Sequence, residues 1–366
     1  MACSLSDTTV KVYAAGPRGL EHSGTCGGHR GTLVHVSLPF ADAPHLVLTA
    51  CTDAALRCFD TRLPGSPCQA VATFRDALRR ELASGAASPH GASLAAGAED
   101  GAVLLWDRRV AAQGSSAGGG GSRQALGEFT EAHGEAVTCC AYHPTLPHAL
   151  LTAGLDGLVC VFDTQGGPGA DEEDALQRVL SVGSSVAKVG WFGAQGSSIW
   201  ATTCTEDASL WNWADGERLA GPPGEGTRHA LEQAWMARPS PAGPACGPVS
   251  YCCGCAWDPH GETLVLLAGT QAGVLAAWPL TADADGTLAV HPPAAVLAGG
   301  HVDVVRAATW LGPGGRAAGR PSSSTLVTGG EDGRVCVWTT APGGEAVAAH
   351  APERTTSSSG QRYSPY

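Results

Sequence analysis

The sequence has no long apolar run and few basic residues. No stretch approaches the roughly 18 to 20 apolar residues needed to cross a bilayer, and residues 1–13 lack a charged start followed by an apolar stretch. The 22 Lys and Arg residues face 34 Asp and Glu residues, which gives a net charge of −12. A general binder of the nucleic-acid backbone concentrates Lys and Arg. We therefore expect a soluble intracellular protein, cytoplasmic or nuclear, without membrane or nucleic-acid partners, and the charge favours a basic partner surface.

Common catalytic and metal motifs are also missing. The chain contains neither a phosphate-cradling Gly-rich loop with Lys nor an H-E-x-x-H pair. The 14 cysteines include Cys252, Cys253 and Cys255, but no second pair at zinc spacing follows these three. Several other cysteines lie in alternating apolar segments, where Cys acts as a small hydrophobic residue. We therefore predict reduced core cysteines, no metal, no cofactor and no enzymatic activity.

What the sequence does contain is an internal repeat. Residues 50–60 align without a gap onto residues 153–163, and each segment has an apolar strand, a turn with Asp, and an alternating strand that ends in an aromatic residue. The same spacing between the turn position and the aromatic residue recurs seven times, at Asp7/Tyr13, Asp53/Phe59, Asp100/Trp106, Asp156/Phe162, Asp207/Trp213, Ala272/Trp278 and Asp332/Trp338. Such a period is typical of a propeller or solenoid.

Three insertions lengthen the repeat beyond the roughly 40 to 45 residues of a minimal propeller blade. They are residues 114–122, 221–248 and 312–324, and all three are rich in small residues or in Pro and Gly. We expect these insertions to bury too little apolar surface to become ordered.

A His preceded by Gly or Ala lies before three of the turns, at residues 28–29, 132–133 and 300–301. Together with the repeat, these pairs resemble the WD-repeat family, whose blades run from Gly-His through three strands to Trp-Asp. The resemblance implies an all-β, seven-bladed β-propeller at residues 1–340 and a disordered tail at residues 341–366. Only six residues precede Asp7, so we expect an incomplete first blade. Either the gene model starts late, or the tail segment 345–350 completes that blade.

Further segments resemble one member of this family over most of residues 6–338. They are residues 171–176, 184–186, 190–191, 299–301, 305–306 and 328–332.

The resemblance also implies a hydrogen-bonded set in each well-formed blade, which joins the His, a strand Ser or Thr, the turn Asp and the aromatic residue. The three sets are His29, Thr49, Asp53 and Phe59; His133, Thr152, Asp156 and Phe162; and His301, Thr328, Asp332 and Trp338. Phe lacks the indole N–H of Trp, so two sets should be weaker. The blades that end at Trp106, Trp213 and Trp278 lack the Gly-His, and Ala272 replaces one turn Asp, so packing must hold these blades.

A His oriented by an Asp next to a Thr hydroxyl also has the form of a catalytic triad. The sequence therefore leaves open a hydrolase that acts through His133, Asp156 and Thr152. Because the arrangement recurs in several blades, whereas an active site is normally single, we interpret it as structural. The leading function is a non-enzymatic scaffold for protein–protein interaction, built on a monomeric propeller.

Four residues are candidate partner contacts. In the family fold, the His loops and Asp turns share one short-looped rim, where Arg306 and the equivalent Thr138 should lie near the central channel, with a solvated strand end as the alternative. On the opposite rim, Arg62 and Arg109 each follow a terminal aromatic residue by three positions. This pair is similar to the motif by which propeller substrate receptors dock onto the adaptor of cullin-four ubiquitin ligases. A ligase receptor is therefore the alternative function, since Arg can offer a fork of donors to an acidic partner.

Overall fold

The computed structural model describes residues 2–4, 7–16, 19–63, 68–110, 122–166, 171–237, 247–258, 262–311, 325–339 and 347–348. Almost all of its regular structure is β-strand, arranged in seven separate sheets. The first sheet contains β1 (Ala2–Ser4), β2 (Val10–Gly16) and β3 (Gly19–Cys26). The second contains β4 (Leu33–Ser37), β5 (Leu46–Cys51), β6 (Ala55–Asp60) and β7 (Ala72–Arg75). The third contains β8 (Ala86–Ala87), β9 (Ser93–Gly97) and β10 (Val103–Asp107), followed by β12 (Gly127–Phe129).

The remaining sheets follow in chain order. The fourth contains β13 (Cys139–Tyr142), β14 (Ala149–Ala153), β15 (Leu158–Asp163) and β16 (Leu176–Ser181), with helix α1 (Glu172–Ala175) before β16. The fifth contains β17 (Val186–Phe192), β18 (Ser198–Thr203), β19 (Ala208–Asn212) and β20 (Arg218–Ala220). The sixth contains β21 (Val249–Asp258), β22 (Thr263–Thr270), β23 (Leu275–Ala282), β24 (Leu288–Val290) and β25 (Ala295–Leu297). The seventh contains β26 (Val305–Leu311), β27 (Thr325–Gly330), β28 (Val335–Thr339) and β29 (Val347–Ala348).

The strands given above pair antiparallel within each sheet, and consecutive sheets are neighbours around an axis. The first strands of the third to seventh sheets contact one another in order, from β8 through β13, β17 and β21 to β26, and β4 contacts β1. Strand β6 is buried along nearly its whole length, because a blade is covered on both faces by its neighbours. The architecture is therefore an all-β propeller.

The predicted count of seven blades needs correction. Six sheets have at least four strands and form complete blades, whereas the first sheet has three. The turn at Asp7 lies between β1 and β2, as the turn at Asp53 lies between β5 and β6. Strands β1 to β3 therefore correspond to the second, third and fourth strands of a blade, and within the described residues the first sheet has no counterpart of β4.

The tail does not complete the first sheet in the described part of the chain. Residues 347 and 348 pair with Thr339 and Trp338, so β29 is the outermost strand of the seventh sheet. This pairing contradicts the idea that segment 345–350 replaces the missing strand. The rest of the predicted disordered tail lies outside the described residues.

The expectation that insertion 221–248 stays without order is wrong for part of its length. Residues Thr227–Met236 form helix α2, in which Leu231, Ala234 and Trp235 share one apolar stripe at helical spacing. Leu231 is buried in the core of the sixth sheet. The insertion connects the last strand of one sheet to the first strand of the next, as the His loops do, so the rim expected to have only short loops carries this helix. Insertion 312–324 and residues 114–121 lie outside the described residues.

A segment after the insertion at 114–122 links two neighbouring sheets. Strand β11 (Ser122–Gln124) pairs parallel with β7 in the second sheet, and β12 then pairs with β10 in the third.

No helix in the described residues is long and apolar enough to cross a membrane.

Candidate functional site

The fourth sheet brings His133, Asp156 and Thr152 together beneath its turn. The His133 Nδ1 lies 3.1 Å from Asp156 Oδ2, and its Nε2 lies 2.8 Å from the Thr152 hydroxyl. The carboxylate also accepts the backbone N–H groups of Gly134 and Leu158 at 3.0 Å each. These contacts tie the loop before β13 to the turn between β14 and β15.

The seventh sheet repeats this geometry with one addition. The His301 Nδ1 lies 3.1 Å from Asp332 Oδ1, and its Nε2 lies 2.8 Å from the Thr328 hydroxyl. The indole N–H of Trp338 donates to the same hydroxyl at 2.8 Å. Phe162 has no such donor and instead stacks on Phe129, with ring centroids 4.6 Å apart.

The second sheet departs from this pattern at His29. The His29 Nε2 lies 3.0 Å from the Thr49 hydroxyl, but its Nδ1 lies 3.0 Å from the Thr8 carbonyl in the first sheet. Asp53 is bound instead by Arg57, whose guanidinium donates to both carboxylate oxygens at 2.9 and 2.6 Å. The predicted contact between His29 and Asp53 is thus replaced, and His29 links two sheets.

Sequence reasoning missed Arg57, although a signal for it existed. Arg57 follows the turn Asp by four positions, where the fourth and seventh sheets have Cys160 and Cys336. A Cys at this position is too short to reach the turn Asp, so the His binds the carboxylate in those two sheets. In the second sheet, the longer Arg57 side chain binds the carboxylate instead. Burial lowers the pKa of His29, and the nearby charge of Arg57 lowers it further. In the fourth sheet, burial lowers the pKa of His133 despite the charge of Asp156, which raises it.

The sheets without a Gly-His use other contacts, most clearly the fifth and sixth. Asp207, the turn residue of the fifth sheet, accepts the backbone N–H of Thr227 at the start of α2 at 2.8 Å. In the sixth sheet, the buried indole N–H of Trp278 has no hydrogen-bond partner within the described part of the chain. Trp235 of α2 packs against Trp278 with ring centroids 6.0 Å apart. In the sixth sheet, apolar packing by α2 therefore takes the place of the hydrogen-bonded His, Thr and Asp of the fourth and seventh sheets.

Arg306 and Thr138, the two predicted channel residues, differ in exposure and bonding. The Arg306 guanidinium is exposed and pairs with Glu331 at 2.5 Å. The Thr138 hydroxyl donates to the carbonyls of Ala153 and Val186, at 3.2 and 2.7 Å. Thr138 thus joins two neighbouring sheets, and its donor is already used within the chain.

Arg62 and Arg109 lie at equivalent positions on neighbouring sheets, just beyond the ends of β6 and β10. Their side chains are 65% and 77% exposed. Each guanidinium is nevertheless held by the Asp two residues before it, through Arg62 to Asp60 at 2.7 Å and Arg109 to Asp107 at 2.6 Å. The Arg62 guanidinium lowers the pKa of Asp60 to about 2. Both arginines are therefore exposed and also fixed in direction by their own chain.

An exposed apolar residue follows each of these arginines. Leu63 is 50% exposed and Val110 is also exposed, as is Leu38 in the loop after β4. We call Arg62, Leu63, Arg109 and Val110 the paired-arginine rim. Exposed apolar groups beside arginines are a composition found in protein interfaces.

The cysteines show no metal-binding arrangement in the described residues. No group of three or more His, Cys, Asp and Glu side chains there could hold a metal ion. Burial raises the pKa of the Cys253 thiol to about 11, and it also raises the pKa of Cys252 and Cys255. These groups therefore remain protonated thiols at neutral pH.

Comparison with known proteins gives one consistent result. The family model described as WD domain, G-beta repeat matches residues 81–107, 124–163 and 298–339. The WD repeat-containing protein GTS1 of Arabidopsis thaliana is 32% identical over 341 residues, which cover 92% of this chain and 77% of that protein. The WD repeat-containing protein 89 homolog of Dictyostelium discoideum is 24% identical over 221 residues, which cover 60% of this chain and 54% of that protein. The further segments of the sequence predicted a likeness to WD repeat-containing protein 89, and this relative confirms it.

A solved structure shows the same fold. One chain in the crystal structure of the Mitotic Checkpoint Complex matches with a TM-score of 0.62 at 15% identity, over 93% of this chain and 87% of that chain. At this identity the likeness concerns the fold alone.

Proposed function

Because this chain belongs to the WD-repeat family, we propose that it is a non-enzymatic scaffold that joins other proteins at the rims of its propeller. WD-repeat propellers typically bind other proteins, and their fold is generally non-enzymatic. The observation that carries the proposal is the paired-arginine rim, where an exposed Arg and an exposed apolar residue recur at the same place in two neighbouring sheets.

Burial of the polar sets supports a non-enzymatic role. The Thr152 side chain is 0% exposed and His133 is also buried, so a substrate carbonyl cannot approach the hydroxyl without opening the sheet. A triad nucleophile needs a reacting atom within about 3 Å. The same geometry recurs at His301, which fits a structural role in both sheets.

Affinity capture tests the scaffold proposal. The full chain and the double variant Arg62→Ala/Arg109→Ala are used as baits, and the co-purifying proteins are quantified. The matched control is Arg178→Ala/Arg218→Ala, which removes two exposed arginines elsewhere and changes the net charge equally. We expect the rim variant to lose partners that the control keeps. Equal capture by all three baits would contradict a role for this rim.

A substrate receptor of a cullin-four type ligase is the second candidate, favoured by the equal geometry of Arg62 and Arg109. Their guanidinium groups are fixed by Asp60 and Asp107 on neighbouring sheets, so both can face one acidic adaptor surface together. If this is the function, the ligase adaptor and cullin are among the partners lost in the rim variant. Capture of adaptor and cullin that survives the double replacement would leave the plain scaffold alone.

A further inference from the structure

Three arginines converge on the turn that contains Asp53. The Arg57 guanidinium binds both carboxylate oxygens, and the backbone N–H of Arg30 donates to Oδ2 at 3.0 Å. The Arg75 side chain donates to the Asp53 carbonyl at 3.3 Å. Arg75 ends β7 directly opposite Ala55, the first residue of β6. The Asp53 carboxylate is thus occupied by its own chain, and among the described residues it forms an ion pair with Arg57 alone.

Positive charge is in excess around this turn. The side chains of Arg30 and Arg79 are exposed and that of Arg75 is half-buried, and none of the three forms an ion pair with a carboxylate among the described residues. Burial lowers the pKa of the Arg75 guanidinium, and the charges of Arg57, Arg79 and Arg30 lower it further, against the charge of Asp53. Geometry brings these residues to the same turn, because Arg30 and Arg75 both bond to Asp53 and Arg79 follows Arg75 by four residues in the loop after β7. We call Arg30, Arg75 and Arg79 the unpaired arginine cluster.

The neighbouring Arg80 shows that the loop does not lack carboxylates in general. Its guanidinium lies near Asp76, Asp100 and Glu128 at 3.6, 3.1 and 2.5 Å. Arg79, one residue earlier, has a φ of +57°, which is a strained conformation for a residue with a side chain and one that clusters at binding sites. In a chain of net charge −12, three arginines at one turn that form no ion pair with a described carboxylate are a local exception.

We propose that the unpaired arginine cluster binds a phosphoryl group on a serine or threonine of a partner protein. A phosphoryl group carries close to two negative charges and three acceptor oxygens, which several guanidinium groups can share through paired hydrogen bonds. A single carboxylate would leave most of this positive charge unmatched. An extended polyanion such as nucleic acid would meet the negative charge of the rest of the chain.

The proposed phosphoryl-binding role of this cluster rests on the proposed scaffold function. The cluster itself is separate from the paired-arginine rim. Asp53 and Arg75 lie at one end of β6, and Arg62 lies beyond the other end. The two surfaces are therefore at opposite rims, and one can fail while the other stands. A propeller with both could hold a phosphorylated partner on one rim and a second protein on the other.

The probe is a fluorescent degenerate peptide library with a fixed central phosphoserine, compared with libraries that have Ser or Glu at that position. Anisotropy with the full chain should show binding of the phosphoserine library at least about tenfold tighter than of either counterpart, since hydrogen bonds to charged groups are strong. Inorganic phosphate should compete. Equal binding of the Ser or Glu library, or tighter binding of single-stranded RNA, would overturn the proposal.

Variants separate this site from the scaffold function. Arg30→Ala/Arg79→Ala removes two exposed side chains and should weaken phosphoserine binding by about tenfold or more, with unfolding unchanged. The matched control Arg178→Ala/Arg218→Ala and the rim variant Arg62→Ala/Arg109→Ala should bind as the unaltered chain does. Unchanged binding by Arg30→Ala/Arg79→Ala would overturn the site even if partner capture through the rim succeeds.

Discussion

The fourth and sixth sheets fill the space beneath their turns with different chemistry. In the fourth, His133 bridges Asp156 and Thr152. In the sixth, Ala268 and Ala272 occupy the positions that correspond to Thr152 and Asp156, and Leu231 and Trp235 of α2 cover Trp278. A polar set depends on every partner being present, because a buried group left unpaired costs the free energy of its lost hydration. The stability of the apolar packing around Trp278 depends on how fully the side chains fill the space, because a missing side chain leaves a cavity. The same place in two blades therefore responds to different kinds of change.

The largest effect on stability is expected from removing part of the apolar packing of α2 against the sixth sheet. Leu231→Ala should lower the free energy of unfolding by about 2 to 5 kcal/mol, since the side chain is fully buried and leaves a cavity. Met236→Ala on the same helix is the control, because this exposed side chain should change stability by no more than about 0.5 kcal/mol. Urea unfolding measures both, and equal effects would show that α2 is not part of the core.

Breaking the polar set should have a smaller effect. His133→Ala should lower the free energy of unfolding by about 1 to 3 kcal/mol, because it leaves the buried Thr152 hydroxyl without its partner. Adding Thr152→Val should cost less than the sum of the single effects, since the stranded hydroxyl is then gone. Additive losses would mean that the pair is not coupled. His133→Ala is also the variant to test with an activated ester, and a burst of product that depends on His133 in a folded protein would reinstate the hydrolase.

The two sheets should also differ in their response to acid. Burial lowers the pKa of His133, so the unfolded chain takes up that proton at a higher pH than the folded chain. The stabilisation is then complete above the ordinary histidine pKa of about 6.5 and declines as the pH falls below it. Hydrogen exchange, corrected for its intrinsic rate, should show protection of β14 and β15 falling with pH more than that of β22 and β23. His133→Ala should remove the difference, and equal declines in the unaltered chain would contradict this account.

The smallest effect on stability is expected from giving the sixth sheet a turn Asp without the His and Thr that bind it in other sheets. Ala272→Asp puts the turn carboxylate into the sixth sheet, but Ala268 offers no hydroxyl. Because residue 272 is exposed, stability should change by no more than about 0.5 kcal/mol. Thermal unfolding measures it, and a clear gain would mean that the turn Asp stabilises a blade without its partners.

The sequence could predict the features that depend on short, repeated spacing. The interval between Asp and the aromatic residue indicated the repeated strand pairs, and the resemblance to the WD-repeat family implied that His133 meets Thr152. It could not predict α2, because the Pro and Gly around residues 227–236 hid the short apolar stripe of this ten-residue helix. It also missed the exchange at Asp53, which is decided by the reach of Arg57 in three dimensions.

The count of blades failed for a related reason. Seven turns predict seven blades only if each turn has a first strand before it, and the turn at Asp7 has none in the described residues. The unpaired arginine cluster could not be found from spacing either, since Arg30 and Arg79 are far apart in sequence and lie in the loops before and after the second sheet.

Strand β11 has a consequence for the way this propeller can be taken apart. The chain leaves the third sheet after β10, adds β11 to the edge of the second sheet, and returns to complete the third with β12. Blades of a repeat protein are in principle exchangeable units, each cut from one contiguous stretch of gene. Here the second and third cannot be separated in that way, because excising either would carry off an edge strand or a closing strand of the other. They form one module of two blades, and a chimera or blade deletion has to treat them together.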